Sequence, residues 1–191
     1  GYQYDNYNRV EQSSYPSGFK TKHHYNSFSY PTTVTDEQAT TTYWQAGSMN
    51  AYNQYKTYTL GNGQTTTKTY DDYGLPTEIT TTNPNIQNLL LNFNPQNGNL
   101  ISRANPNKNL LEEFKYDNLN RLTETKVNGV VQQTMQYQSN GNIGFKTDAG
   151  NYSYDVNRKN AVTQVSNQQS NISSNVQDIT YNAFNSVNTI I

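Results

Sequence analysis

Residues 115–124 read KYDNLNRLTE. Tyr116 is followed by an acid, Asp117, then by Asn120 three places further on, then by Arg121-Leu122. The pattern spells a chain reversal between two strands. An Asp side-chain oxygen can accept from backbone N–H groups two residues on, and Asn tolerates the positive φ that tight turns need. The same spelling opens the chain as YDNYNRV (4–10) and returns as YDDYGLP (70–76). A turn that recurs in register belongs to a repeat, and the repeat decides the fold.

Aligned on the ring or its substitute, the anchors are Tyr4, Tyr25, Met49, Tyr70, Phe93, Tyr116, Tyr137, Tyr154 and Tyr181, spaced by 21, 24, 21, 23, 23, 21, 17 and 27 residues. Asp5, Asp71, Asp117 and Asp155 follow four of them and are expected to cap turns. Asn26, Asn50, Asn94 and Asn182 stand in the same place, and only Tyr137 is followed by Gln138. Four positions past the anchor come Asn8, Ser29, Asn53, Gly74, Asn120, Gly141 and Asn185. The copy at Phe93 carries one extra residue before Gly98, and the copy at Tyr154 has Arg158 where the turn residue belongs.

A period near 21 holds two strands of about seven residues and two turns. Second turns stand at Pro16-Ser17-Gly18, Gly61-Asn62-Gly63, Asn105-Pro106-Asn107, Asn128-Gly129 and Asp148-Ala149-Gly150, with Asn83-Pro84-Asn85 as a further break. Asn128-Gly129, between TETKV and VVQQT, is the strongest hairpin signal in the chain. Each unit reads as a β-hairpin. One hairpin is not stable alone, so consecutive hairpins must stack into an antiparallel array. The anchor rings are expected to pack inside strand ends, with Tyr70, Tyr116 and Tyr154 more buried than the Asp after each. Residues 166–174, SNQQSNISS, read as a polar loop insertion. No segment has a helical period and no domain boundary shows, so 1–191 reads as one repeat array.

Composition agrees with an all-β reading. Only 32% of residues are hydrophobic and 14% charged, with a net charge of −1; mean hydropathy is −0.97. Disorder would pair such hydropathy with high net charge and few aromatics, whereas this chain holds 17 Tyr. The apolar contacts must come largely from tyrosine rings. The near-zero charge gives no electrostatic footprint for nucleic acid. The longest apolar run, around Leu89-Leu90-Leu91, is too short for a membrane helix. The absence of Cys excludes disulfides and thiolate metal sites. Gly1 in place of Met and the apolar close VNTII suggest a fragment of a longer repeat array.

YDNYNRV, YDDYGLP, YDNLNRL and the NGNL-type copies resemble RHS repeats, also called YD repeats, as do the companion stretches YPSGFKTKHHYN and TLGNGQTTTKTYDDYG. The likeness runs from Tyr2 to Ile191. It implies an all-β array of antiparallel hairpins in a curved or spiral sheet, an open segment of an RHS-type shell. Family members include bacterial polymorphic toxins, shell components of insecticidal toxin complexes, wall-associated bacterial proteins and teneurins. The resemblance implies a non-enzymatic structural role in a secreted or cell-surface bacterial protein. Its partner would be the rest of its own polypeptide: further repeats and a C-terminal toxin or effector domain. The alternative is a carbohydrate- or receptor-binding surface module. Open sheet edges would also permit a homo-oligomer.

Candidate chemistry is sparse. His23 and His24 are adjacent on a strand and point to opposite faces, so they cannot readily share a metal ion. The recurring Asp residues stand about one repeat apart at turns and read as caps before calcium ligands. Trp44 and exposed tyrosines could stack on sugar rings, although ring packing within the sheet is the simpler role. Asn151-Tyr152-Ser153 and Asn171-Ile172-Ser173 fit glycosylation sequons. No catalytic motif and no cofactor site is spelled.

Overall fold

The computed structural model describes residues 1–166, 179–184 and 186–190. The protein is an all-β chain with a sixteen-stranded antiparallel sheet in which strand order follows chain order. It divides into two compact units, Gly1–Leu111 and Glu112–Ile191.

The first unit holds β1 (Tyr2–Tyr4), β2 (Val10–Ser14), β3 (Lys20–Tyr25), β4 (Pro31–Asp36), β5 (Thr42–Ala46), β6 (Thr57–Leu60), β7 (Thr65–Tyr70), β8 (Pro76–Thr81), β9 (Asn88–Phe93) and β10 (Leu100–Asn105). The second holds β12 (Leu122–Val127), β13 (Val130–Tyr137), β14 (Ile143–Lys146), β15 (Gly150–Tyr154) and β16 (Val162–Ser166), with β17 (Ile179–Tyr181) and β18 (Val187–Ile190) as a separate pair; β11 (Leu110–Tyr116) begins at the boundary. Among the described residues the one helical piece is a 3-10 turn at Pro106–Lys108, which ends on Asn109 at φ 48°. It occupies the turn expected at 105–107.

β-Branched residues make these strands. β7 is TTTKTY and β8 is PTEITT, and branched side chains pack well on a pleated surface. Thr57 and Thr59 lie opposite Thr67 and Thr65 on one face, and Tyr58 opposite Thr66 on the other. Trp44 packs edge-on against Tyr55 at 5.3 Å between centroids and lies tilted against Tyr58 at 6.3 Å. Between β12 and β13, Asn128 (φ 48°) and Gly129 (φ 78°) form the tight turn that the sequence signals. A further turn, unforeseen, joins β4 to β5: Asp36 Oδ1 accepts from the Thr41 N–H, with Ala39 at φ 57°.

Among the described residues the buried apolar set is only Met135 and Ala149, while Gln12, Ser13, Thr21, Thr35 and Thr66 are buried polar residues. Side chains of a strand are covered mainly by those of neighbouring strands. Stability is therefore spread along the ladder. The loop expected at 166–174 lies outside the described residues except for Ser166, the last residue of β16.

Candidate functional site

The anchor turn is built around one side-chain oxygen. Asp5 Oδ1 accepts from the Tyr7 N–H at 2.8 Å and the Arg9 N–H at 3.0 Å. The Asp5 N–H donates to Arg9 O, the Asn8 N–H donates to Asp5 O, and Asn8 stands at φ 60°. Asn26, Asn50, Asp71 and Asp117 accept the same two bonds in their own turns, as Asn182 does from Phe184 and Ser186. Gln138 is too long to cap in this way; there Asn140 Oδ1 accepts from the Asn142 N–H. Asp155 accepts from Asn157 and Arg158 in a wider loop that closes on Ala161 O.

The left-handed residue has a consequence that sequence reasoning missed. A type I turn followed by a residue at positive φ leaves one extra residue on the returning strand, a β-bulge. Gln3 pairs with Gln12 but Tyr4 with Val10, so Glu11 is the extra residue. The register shifts at the anchor in the same way at Tyr25, Tyr70, Tyr116, Tyr137, Tyr154 and Tyr181, and at Phe93, which pairs with Leu100. The signal was in the sequence: the Asn, Gly or Ser four places past most anchors.

Every anchor except Met49 ends an odd-numbered strand, and Met49 bridges Tyr55 alone. The anchor hydroxyl reaches back one repeat. Tyr25 donates to Val10 O at 2.9 Å, Tyr70 to Tyr55 O at 3.0 Å, Tyr137 to Leu122 O at 2.8 Å and Tyr154 to Ile143 O at 2.8 Å. Each acceptor lies six residues past the preceding anchor. Met49 has no hydroxyl, and Tyr55 donates in its stead to Pro31 O at 2.7 Å.

The arginine five places past the anchor completes the joint. Arg9 lies 4.4 Å from the Tyr25 ring centroid and Arg121 4.4 Å from that of Tyr137. The same guanidinium groups close on their own turns, Arg9 on Asp5 and Arg121 on Asp117, each at 2.6 Å. Arg158 lies 4.9 Å from the Tyr181 ring. The sequence placed Arg9 and Arg121 in the motif without a role.

At Tyr4 burial requires a correction, since its ring does not pack inside the strand end. The anchors from Tyr25 onward are half-buried, Tyr4 is 59% exposed, and the side chain of Asp5 is only 19% exposed. Tyr70, Tyr116 and Tyr154 fall in the same intermediate range as the Asp after each. The ring is covered from one side by the preceding repeat, while the carboxylate is wrapped by N–H donors. The Arg121 side chain, then its backbone N–H, holds the Asp117 carboxyl below the usual carboxylate range. The backbone N–H groups of Arg158 and Asn157 do so for Asp155. Burial raises the phenols of Tyr70, Tyr116 and Tyr154.

Hairpin connections alternate between the two ends of a sheet, so in the first unit every anchor turn lies at one end, two strands from the next. Side chains stitch this row: Arg9 Nη1 donates to Ser29 Oγ at 3.0 Å, Gln54 Nε2 to Gly74 O at 3.0 Å and the Tyr52 hydroxyl to Asp72 O at 3.0 Å. A cleft of about 280 Å³ opens between the turns at Asn50 and Asp71, lined by Tyr52, Lys56, Tyr70 and Asp72 among others. In the second unit a cleft of about 490 Å³ is lined by Arg158, Lys159, Val162, Ile179 and Tyr181 among others.

The remaining candidates stay apart. His23 Nε2 lies 3.1 Å from Ser13 Oγ on one face and His24 Nε2 3.1 Å from Thr35 Oγ1 on the other. No group of three metal-ligating side chains forms among the described residues. No helix among them is long and apolar enough to cross a membrane. Asn151 is exposed on β15; Asn171 lies outside the described residues.

No family model and no curated protein matches the chain. Solved structures do. Crystal structures of TcdB2-TccC3-Cdc42 and of TcdB2-TccC3 without the hypervariable C-terminal region superpose with TM-scores of 0.71 and 0.70 at 15% and 14% identity. TcdB2-TccC3-TEV superposes at 0.57 and 14%. Each covers 99% of this chain, which spans 12%, 12% and 11% of theirs. The fold, an antiparallel sheet of hairpins in chain order, is shared with the matched segments of those chains. At this identity the likeness is one of fold. The hairpin repeats seen here match those chains over nearly the whole of this sequence.

Proposed function

We propose that the chain is a non-enzymatic wall segment of a secreted or cell-surface bacterial YD-repeat protein. Its repeats would form part of a β-shell that encloses or presents a toxin or effector domain elsewhere in the same polypeptide. The observation that carries this reading is the direction of the joint. Four repeats offer a carbonyl, two of them with an arginine, to the ring of the next, as Leu122 and Arg121 do to Tyr137. Such a joint can be extended indefinitely, which suits a wall, and it leaves the apolar core thin, which suits a sheet that depends on its neighbours. The likeness to toxin-complex chains supports the same reading.

Electron cryo-microscopy of the full-length polypeptide tests it. The expected result is a hollow shell whose wall includes these repeats. Repeats that stand as a free arm around no enclosed volume would refute it. Fractionation of the producing cells, with detection in medium or at the surface, tests the location.

A further inference from the structure

The repeat departs most from its own rule in the copy that begins at Tyr154. The loop after this anchor is wider than the other anchor turns and sets Arg158 and Lys159 side by side in its middle. It is pinned at several points. Asp155 Oδ1 accepts from the Asn157 and Arg158 N–H groups, the Ala161 N–H donates to Arg158 O, and Asn142 Nδ2 donates to Lys159 O at 2.6 Å. β17 and β18 form a sheet of their own. The cleft of about 490 Å³ lies between this loop and that hairpin, and sites for small molecules are commonly about 300–1,000 Å³.

The geometry points to a binding site in this cleft for a small amphiphilic carboxylate, its anionic head at Arg158 and Lys159 and its aliphatic body against Val162, Ile179 and Val187. Two observations choose the ligand. The first is uncompensated charge. Arg9 and Arg121 also lie over the ring of the next anchor, but each is neutralised by its own Asp at 2.6 Å. Arg158 lies over the Tyr181 ring, and among the described residues neither it nor Lys159 enters an ion pair. Asp155 is the one acid of the loop against these two cations, and its Oδ1 is spent on backbone N–H groups. A guanidinium held over a ring keeps its N–H edge for the two oxygens of a carboxylate. The second is apolar surface. Val162, Ile179 and Val187 are exposed to solvent and line the same cleft. A fully hydrated anion would leave that surface uncovered, and a neutral hydrocarbon would leave the cations unused.

Such a ligand would touch both sides of the cleft. Its head would rest on the loop and its body on Val162 of β16 and on Ile179 and Val187 of the hairpin. Binding would therefore also strengthen the attachment of β17 and β18. This inference does not depend on the shell reading, since a wall segment and a free module could both carry the cleft.

Titration calorimetry of the intact chain with sodium octanoate tests the site, with octanol, octyltrimethylammonium and inorganic phosphate as comparators. The expected result is octanoate binding at millimolar concentration or below, with each comparator about fivefold weaker or worse. Arg158→Gln should weaken octanoate about tenfold, Lys159→Gln about threefold and Ile179→Ala about threefold. Lys22→Gln, in the first unit, should leave it unchanged. Circular dichroism of each variant checks that the sheet is retained. Lys159→Gln carries the test if loss of the ring contact in Arg158→Gln disturbs the hairpin. Absence of octanoate binding overturns the proposal. So does binding that neither Lys159→Gln nor Arg158→Gln weakens, or octanol, octyltrimethylammonium or phosphate binding as tightly as octanoate.

Discussion

Arg121 sits 4.4 Å over the ring of Tyr137 while its guanidinium reaches Asp117 at 2.6 Å. The residue next to it, Leu122, accepts the Tyr137 hydroxyl through its carbonyl oxygen. Two adjacent residues of one repeat thus hold both the face and the tip of the ring that begins the next. Arg9, Val10 and Tyr25 make the same joint in the first unit. Consecutive hairpins are therefore coupled by side chains as well as by the ladder between strands.

The hydroxyl contribution can be read directly. Tyr137→Phe should cost about 1 kcal/mol in urea unfolding, the net value of one part-buried hydrogen bond. Tyr116→Ala should cost about 2 kcal/mol, below the range for fully buried rings, because the site is half open to water. Phe93→Tyr should stabilise slightly, since it restores a hydroxyl at an anchor that lacks one. A Tyr137→Phe variant as stable as the parent would show that the repeats do not depend on this bond.

Acid should weaken the turns. The pKa values of Asp5, Asp117 and Asp155 are lowered in the folded chain. Their contribution is present above the unfolded value, about 3.9, and is lost as pH falls through the folded value. Asp117→Asn should flatten the acid limb of the stability curve, because an amide oxygen can cap the turn at any pH, as Asn26 and Asn50 do. An unchanged acid limb, measured by urea unfolding from pH 6 downward, would contradict this.

Alkali should act through the anchors. The phenol pKa values of Tyr70, Tyr116 and Tyr154 are raised in the folded chain. The neutral forms stabilise fully below the unfolded value, about 10, and that contribution is lost as pH rises through the folded value. Ultraviolet titration should therefore show a late-ionising fraction whose appearance accompanies loss of the β-sheet signal. A single transition for all tyrosines at the free-phenol value would count against buried anchors.

β1 and β16 stand at the two ends of the strand order, and an unpaired strand edge offers N–H and C=O groups to another chain. Light scattering should show mass rising with concentration toward a dimer or larger species. A strict monomer at high micromolar concentration would show that the edges are protected.

The strands and turns were legible because each rests on local chemistry. Asp117 and Asn120 announce a capped reversal wherever they stand, and Asn128-Gly129 forces its own turn. What stayed hidden was the pairing between repeats. Nothing near Arg121 in the sequence reveals that its partner lies sixteen residues away at Tyr137, and the bulge at Glu11 appears only when register is counted across two strands. That the Tyr4 ring stays exposed was hidden for the same reason: it begins the first repeat described, and no preceding repeat covers it. The exposed tips at Tyr7, Phe28, Tyr52 and Tyr73 share a position in the repeat, yet only the geometry of the turn shows that this position faces water.

Where a repeat carries an arginine five places past its anchor, that arginine grips the ring of the next. A double-mutant cycle on Arg121 and Tyr137, with Arg121→Ala, Tyr137→Ala and both together followed by urea unfolding, tests it most directly. The account predicts a coupling of about 0.5–1 kcal/mol, the worth of a cation over a ring at a part-exposed site. Strictly additive losses would contradict it and would reduce the contact between Arg121 and Tyr137 to coincidental proximity.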